Sequence, residues 1–244
     1  MAGATRGVGF HGKIPSMGDF VTRRLPTTLI DRWDDWMQLC MDFCKRNIGD
    51  QWSETYMVGP VWRFFFQSGI VGGEAVCGIV FPSVDRVGRY FPFAMFAPIT
   101  GKVDASSIIE QDIWFDGMEA LAMEVLNPSL DFAAWDKAVE AAPLPVSGLA
   151  SAVEEDATIP QQAPNLGPLV HIILPKGPDL KPLIDWHASA LSPPRSIWWK
   201  RDDSEEIQSL VIADGLPGAS AFPAFLGEDW ERWGWTEKSY VRGA

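Results

Sequence analysis

Three apolar segments constrain the fold of this chain more than any other feature. They are "VWRFFFQ" (61–67), "AVCGIVFP" (75–82) and "YFPFAMFAP" (90–98). Their short length and their aromatic and β-branched residues predict three strands. A strand with one face in water alternates apolar and polar residues, whereas these runs stay apolar, so both faces of each strand should be covered. The sequence therefore predicts a sheet with helices packed on both sides.

The flanking segments supply those helices and more strands. Helical spacing of Leu29, Trp33, Trp36, Met37, Cys40, Phe43 and Cys44 predicts a helix from about Thr27 to about Gly49. Two further helices are predicted over 105–126 and 128–141, with Ile109, Ile113, Trp114, Leu121 and Val125 on one face of the first. Other strands are predicted at 8–12, 169–174, 196–200 and 207–213, and other helices near 181–190 and 219–227.

About six or seven strands and about five helices in alternation predict an α/β (mixed α+β) protein, a single layered helix–sheet–helix domain with a mixed sheet. Residues 143–168 contain five prolines and little periodicity, which predicts a long connection within one domain over 1–244. Near the C-terminus, Trp230, Trp233 and Trp235 either pack onto the domain or form a partner surface, and packing is the favoured interpretation.

Charge and composition disfavour several classes of partner. Asp and Glu outnumber Lys and Arg by 32 to 20, a net charge of -12, which disfavours nucleic acid and anionic membrane surfaces as partners. No apolar run approaches the roughly 18 residues that span a bilayer, so no direct membrane insertion is expected.

The N-terminus lacks a signal-peptide apolar region, and three cysteines are an odd number. A reducing, cytoplasmic location is predicted.

The opening segment "GVGFHGK" (7–13) raises the possibility of a nucleotide site, because Gly7, Gly9 and Gly12 fit the G-x-G-x-x-G pattern. That pattern requires a strand before the first glycine and a helix that begins at the last. Few residues precede Gly7, and Ile14-Pro15 disfavours a helix. We therefore interpret the glycines as positions where a first strand bends closely past its neighbours.

Metal and nucleophile sites have little support in the sequence. His11, His171 and His187 stand far apart, and no G-x-S-x-G elbow links a serine to any of them. Cys40 and Cys44 share a predicted helix face with aromatic residues, and Cys77 lies inside an apolar strand. All three are predicted to be inert core residues. No metal and no cofactor are expected.

Two polar loops are the strongest site candidates. "PSVDRVGRYFP" (82–92) separates two apolar strands, and "KIPSMGDF" (13–20) follows the first strand. If the loops meet, Asp19 and Asp85 could pair with Lys13, Arg86 and Arg89 in one charged network. A structural or partner-binding role is favoured over catalysis, because neither loop itself contains a histidine or a set of residues at metal-ligand spacing. A phosphoryl-ligand sensor or hydrolase that uses these five residues remains the alternative.

At these loops the sequence resembles a known family. "GFHGKIPSMGDFVTRRLP" with "IDRWDDWM", then "PVWRFFF" and "GIVFPSVDRVGRYFPF", resemble the TagF/ImpM family of type VI secretion-associated proteins. "SIWWK", "LVIADGLP" and "AFPAFL" resemble its C-terminal part more loosely.

The resemblance implies a non-enzymatic negative regulator that acts after translation on type VI secretion. The resemblance also implies that the protein binds a forkhead-associated scaffold protein. This binding would act alongside a pathway formed by a threonine kinase and a phosphatase. The family motifs place the partner-binding prediction on Lys13, Gly18, Asp19, Phe20, Ser83, Asp85, Arg86, Gly88, Arg89 and Tyr90.

Overall fold

A nine-stranded sheet forms the centre of the protein. The computed structural model describes residues 7–101, 105–146, 169–173, 195–201, 207–227 and 229–239. The strands are β1 (Gly9–Gly12), β2 (Val21–Arg23), β3 (Trp62–Phe66), β4 (Ala75–Phe81), β5 (Phe93–Ile99), β6 (Leu169–Ile173), β7 (Arg195–Arg201), β8 (Ile207–Asp214) and β9 (Thr236–Ser239). Their order across the sheet is β2-β1-β5-β4-β3-β7-β8-β6-β9.

The sheet is mixed, as predicted, because β6 and β9 run parallel while the other described neighbours run antiparallel. The three apolar segments form β3, β4 and β5, which lie side by side. The third begins at Phe93, later than predicted, because Tyr90 belongs to the preceding turn and forms an isolated bridge with Val84. The short strands β2 and β9, both at sheet edges, were not predicted.

Both faces of the sheet are covered, which confirms the helix–sheet–helix prediction. The helices are α1 (Thr27–Ile48), α2 (Trp52–Met57), α3 (Ala105–Ile109), α4 (Asp112–Met123), α5 (Phe132–Glu140) and α6 (Ala224–Gly227), with 3-10 turns at 49–51, 124–126 and 231–233. Alternate residues of β3 enter different cores: Phe64 and Phe66 pack with α1 and α2, and Phe65 packs with α3 to α5.

The predicted long helix is α1, and its buried face carries the periodicity seen in the sequence. Trp33, Met37, Cys40 and Cys44 are fully buried along it. The helix ends at Gly49, whose φ of 74° lies in the left-handed region that favours glycine. Burial raises the pKa of the Cys44 thiol to about 12 and raises the pKa of the Cys40 thiol as well, so both thiols stay protonated, inert core groups.

The predicted helix over 105–126 is wrong in its continuity. The chain forms α3, then breaks at Gln111, whose ψ of 52° is not helical, and continues as α4 and a 3-10 turn. The break changes the helical phase, so Ile109 and Val125 are buried while Ile113 is 91% exposed. Ile113 therefore leaves the predicted face, whereas Trp114 and Leu121 pack against the same core as Ile109 and Val125. The next helix begins later than predicted, at the Asp131 cap, which accepts from the backbone N–H groups of Ala133 and Ala134.

The C-terminal part folds back onto the domain. Trp230 and Trp235 are 3% and 4% exposed and pack in the α1 core, which confirms the favoured interpretation for these two side chains. Of the helix predicted near 219–227, only α6 is helical. The helix predicted near 181–190 lies outside the described residues. In the described part of the chain, no helix has the length and apolarity needed to cross a membrane.

Candidate functional site

The two polar loops meet, as the sequence suggested. Strand β1 pairs with β5, so the loop that leaves β1 lies against the turn that enters β5. The backbone N–H of Arg86 donates to the carbonyl oxygen of Met17 at 2.8 Å. The guanidinium of Arg89 donates to the carbonyl oxygen of Gly18 at 2.6 Å. These bonds join residues 13–20 and 82–92 into one surface feature.

Asp85 lies at the centre of this junction, with a fully buried side chain (0% exposed). Its Oδ1 accepts from the backbone N–H groups of Val87 and Arg89 at 3.0 and 2.9 Å. Its Oδ2 accepts from Arg89 Nε at 2.6 Å and contacts Lys13 Nζ at 3.1 Å. Gly88, with a φ of 81°, allows the chain to turn within this ring of donors. Asp85 therefore locks the turn with its own carboxylate.

Lys13 is the second buried charge. Its ammonium pairs with Asp85 and lies 5.1 Å from the centroid of the Phe20 ring. The Phe20 ring stacks on His11 at 5.3 Å and meets Phe91 edge-on at 4.8 Å. The cation is thus enclosed between a carboxylate and an aromatic face, both of which attract it electrostatically.

These contacts determine the ionisation of Asp85. Burial by itself would raise the pKa of the carboxyl, since it removes water from the charged form. The hydrogen bonds from the Arg89 backbone and side chain, from Lys13 and from Val87 outweigh burial and hold the pKa well below its usual range. Asp85 is therefore an anion at neutral pH and a weak proton acceptor.

The depressed pKa of Asp85 predicts acid sensitivity of the fold. The Asp85 contribution to stability is fully present above the unfolded pKa, about 3.9, and is lost as the pH falls toward the lower folded value. We expect the difference in unfolding free energy between the wild type and Asp85→Asn to shrink from pH 5 to pH 2.5. Urea unfolding of both proteins across this range measures the difference, and a constant difference would contradict the prediction.

The turn is also anchored to the helical layer through Tyr56 of α2. The buried Tyr56 hydroxyl donates to the Ser83 carbonyl oxygen and accepts from the Ser83 N–H, both at 2.9 Å. Burial raises the pKa of this hydroxyl, so it stays protonated. The ring of Tyr90 meets Tyr56 edge-on at 5.4 Å. Ser83 and Tyr90 thus hold the turn in place at both ends.

Part of the predicted site lies outside the charged network. Asp19 is exposed, and its carboxylate accepts from the N–H of Phe20 at 2.8 Å. The Arg86 guanidinium has no ion pair among the described residues and lies beside Gly18, where an added Cβ would be 3.2 Å from it. The network therefore contains Lys13, Asp85 and Arg89. The exposed residues form what we call the loop surface: Asp19, Phe20, Arg86, Val87 and Tyr90.

The opening glycines serve strand packing. Gly12 has a φ of 142°, and a Cβ there would collide with the carbonyl oxygen of Pro92, beside β5. A Cβ on Gly9 would collide with Leu25 and with the backbone of Arg23. The chain continues from Gly12 into the loop and β2, and the next helix begins only at Thr27. The interpretation of a strand that bends closely past its neighbours is therefore confirmed for Gly9 and Gly12, whereas a Cβ on Gly7 would meet nothing within 4 Å.

Sequence reasoning missed two hydroxyl–imidazole–carboxylate chains. His11 contacts Thr22 Oγ1 at 2.6 Å and Asp34 Oδ1 at 2.7 Å, which joins β1 and β2 to α1. His171 contacts Ser209 Oγ at 2.5 Å and Glu237 Oε2 at 3.2 Å, and its ring stacks on Trp230 at 4.0 Å. Ser209 is 5% exposed, too buried for attack on a substrate. No motif joins these residues, because their partners are 11 to 66 positions apart.

A buried arginine, Arg63, was also missed. It lies in β3 with 3% exposure and donates to Glu119 at 2.5 Å, Asp116 at 2.6 Å and Asp112 at 3.3 Å, all on α4. Burial lowers the pKa of the guanidinium, but the hydrogen bonds and charges of Glu119 and Asp116 outweigh burial and raise it. Arg63 therefore stays charged and fixes α4 on the sheet. Within the described residues, no group of His, Cys, Asp or Glu could hold a metal ion.

Comparison with known proteins identifies a matching family model and a similar solved structure. The family model described as TagF N-terminal domain, type VI secretion system-associated, matches residues 9–142. The crystal structure of PA0076 from Pseudomonas aeruginosa PAO1 is similar at 33% identity and a TM-score of 0.69, over 90% of this chain and 93% of that one. A comparison with curated proteins found no significant match. The family model covers both loops, and the structural match, over 90% of the chain, extends beyond residue 142 into the C-terminal half.

Proposed function

The chain belongs to the TagF family of type VI secretion-associated proteins, and from this membership we propose that it is a non-enzymatic negative regulator of type VI secretion. It acts after translation, in the cytoplasm, by holding a forkhead-associated scaffold protein. The loop surface is the binding site. The observation that supports this proposal best is the division of the two family loops into a saturated charged network and an exposed aromatic and cationic surface.

The saturated network supports a structural role for the charged groups. Asp85 accepts from Val87, Arg89 and Lys13, and its depressed pKa makes it a poor general base. Lys13 is buried against this carboxylate and the Phe20 ring, which separates its ammonium from any ligand in solution. A hydrolase that used these groups would first have to open the turn.

The exposed residues have the chemistry of a protein interface. Phe20, Val87 and Tyr90 are 39%, 69% and 38% exposed, and Arg86 lies among them. Aromatic residues and arginine contribute most to binding at interface centres. The hydrogen bonds of the buried Asp85 network hold this surface in one conformation. A fixed conformation reduces the entropy lost on binding. A partner would have to bury about 800 Å² on each side for a stable complex.

Charge reversal at Arg86 tests the assignment. We expect Arg86→Glu to weaken scaffold binding by about 30-fold or more, the effect of losing one hot-spot side chain. The free energy of unfolding of Arg86→Glu should differ from that of the wild type by no more than about 0.5 kcal/mol, because the Arg86 side chain is exposed and has no ion pair among the described residues. The measurement is co-purification with the forkhead-associated scaffold of the same secretion cluster, followed by titration calorimetry.

Arg46→Glu, at an exposed arginine near the end of α1, is the matched control and should bind as the wild type does. Arg89→Glu is not equivalent to Arg86→Glu, because Arg89 is bonded to Asp85 and Gly18 and its reversal should open the turn. Normal folding with unchanged affinity in Arg86→Glu would remove the loop surface from the interface. Failure of the folded wild type to bind would remove this scaffold as the partner.

One observation favours the phosphoryl-ligand alternative. The Arg86 guanidinium faces solvent beside Gly18, and guanidinium groups match phosphate geometry. A thermal-shift screen with nucleotides, phosphopeptides and divalent metals separates the two functions. A ligand at about a hundred times its dissociation constant should stabilise the protein by about 2.7 kcal/mol. Stabilisation that Arg86→Glu abolishes, without scaffold binding, would favour the sensor.

A further inference from the structure

A groove separate from the loop surface opens between α4, α5 and residues 143–146. It encloses about 770 Å³. Its floor and walls are mainly apolar, formed by Trp114, Met118, Leu121, Ala138, Ala142 and Leu144. This volume lies within the range of sites that hold a ligand or a peptide side-chain cluster.

The groove is held open by specific bonds. The Gln111 side chain donates to the Val146 carbonyl oxygen at 3.0 Å and accepts from the Val146 N–H at 2.7 Å, so it pairs with the backbone as a strand would. The Trp114 indole donates to the Pro143 carbonyl oxygen at 2.8 Å. The wall formed by residues 143–146 is therefore bonded to α4. A preformed wall reduces the conformational cost of binding.

Large apolar side chains at the rim are exposed. Ile113 is 91% exposed, Val146 58% and Leu144 37%, and all three line the groove. The sequence pattern placed Ile113 on a buried face, and the break at Gln111 turned it outward. Single exposed apolar residues are ordinary, but a cluster that borders an apolar groove indicates an interaction site.

The charge of the groove restricts what it can bind. Glu110, Asp112 and Glu124 line it, and no lining residue is basic. Asp112 is bonded to Arg63 and Arg201. Glu110 and Glu124 are exposed and have no ion pair in the part of the chain that the structure describes. The groove therefore favours a cationic occupant.

We propose that this groove binds a basic amphipathic helix of a partner protein. Its apolar face would contact Ile113 and Leu121, and its lysines or arginines would face Glu110 and Glu124. The 12 residues of α4 span about 18 Å, the length of about three turns of a bound helix. The proposal goes beyond the scaffold interaction, because the groove shares no residue with the loop surface.

Charge also argues against two other occupants. A two-fold dimer through the groove would place the carboxylates of one copy opposite those of the other. The chain's own segment after the wall is acidic at Glu154, Glu155 and Asp156, so the charge of its sequence does not complement the rim. A basic partner complements the acidic rim in a way that neither of these does.

The test uses the full chain and a labelled model peptide with leucines on one helical face and lysines on the other. Fluorescence anisotropy measures its binding, beside a peptide with glutamates in place of the lysines. We expect the lysine peptide to bind, with about tenfold weaker binding to Ile113→Ser. The double variant Glu110→Gln, Glu124→Gln should bind the lysine peptide more weakly than the wild type does. The salt dependence of that binding should also be smaller. Leu39→Ser, at a 62% exposed leucine of α1, is the matched control and should bind normally.

Equal binding of both peptides, no binding of the lysine peptide, or unchanged binding to Ile113→Ser would overturn the proposal. Sedimentation analysis tests whether a second copy of the chain occupies the groove. A concentration-dependent dimer that is lost in Ile113→Ser would assign the groove to that second copy. Ile113→Ser should fold normally, since its side chain is exposed. Arg86→Glu should bind the lysine peptide as the wild type does, which separates this test from that of the proposed function.

Discussion

Asp85→Ala is expected to lower the free energy of unfolding by about 3 kcal/mol, the lower end of the 3–5 kcal/mol lost when one partner of a buried ion pair is removed. The substitution leaves the Lys13 ammonium buried without its counter-ion and leaves the Val87 and Arg89 N–H groups without their acceptor. Arg89 is 58% exposed and can regain water, so the lower end applies. Urea unfolding measures the change.

The same experiment separates the network from the loop surface. Asp19→Ala, at an exposed aspartate outside the network, should change the free energy of unfolding by no more than about 0.5 kcal/mol. Lys13→Met should cost less than Asp85→Ala, because Asp85 keeps its bonds to Val87 and Arg89. Equal stability of Asp85→Ala and Asp19→Ala would show that the buried carboxylate does not lock the turn.

Gly78→Ala is expected to destabilise the protein by at least about 3 kcal/mol, at the upper end of overpacking effects. Gly78 lies in β4 between Phe64 of β3 and Phe96 of β5. An added Cβ would overlap the carbonyl oxygen of Met95 and lie 2.8 Å from the Phe64 ring. The Met95 backbone belongs to β5, so relief requires a shift of paired strands. Thermal or urea unfolding measures the loss.

Gly117→Ala is the matched control for this substitution. Gly117 is exposed in α4, and an added Cβ would meet nothing within 4 Å. Alanine should stabilise the helix there by about 0.5–1 kcal/mol. The two glycine substitutions are thus expected to have opposite signs. A small loss at Gly78 would mean that β4 and β5 can separate at little cost.

The two family loops show how far the sequence predicts the site. The two polar loops predicted, if they met, a network of Lys13, Asp19, Asp85, Arg86 and Arg89. The loops meet, but among the described residues the network joins Lys13, Asp85 and Arg89 without Asp19 or Arg86. The sequence pattern did not distinguish Arg89, which bonds to Asp85, from Arg86, which faces solvent. Two arginines three positions apart have the same local pattern. The two side chains differ because Gly88, with a φ of 81°, turns the chain between them. They differ also because the Arg89 guanidinium donates to the carbonyl oxygen of Gly18 in the other loop.

Local pattern by itself determined the layered architecture, the strands β3 to β5 and the helix α1, because hydrophobic periodicity reports which faces must leave water. The tertiary structure alone decided the edge strands β2 and β9, the break at Gln111 that exposes Ile113, and the pairing of Arg63 with α4. These features depend on hydrogen bonds and charges between segments far apart in the chain. Such contacts leave no periodic signal, because each partner satisfies its bonding only after the segments have been brought together.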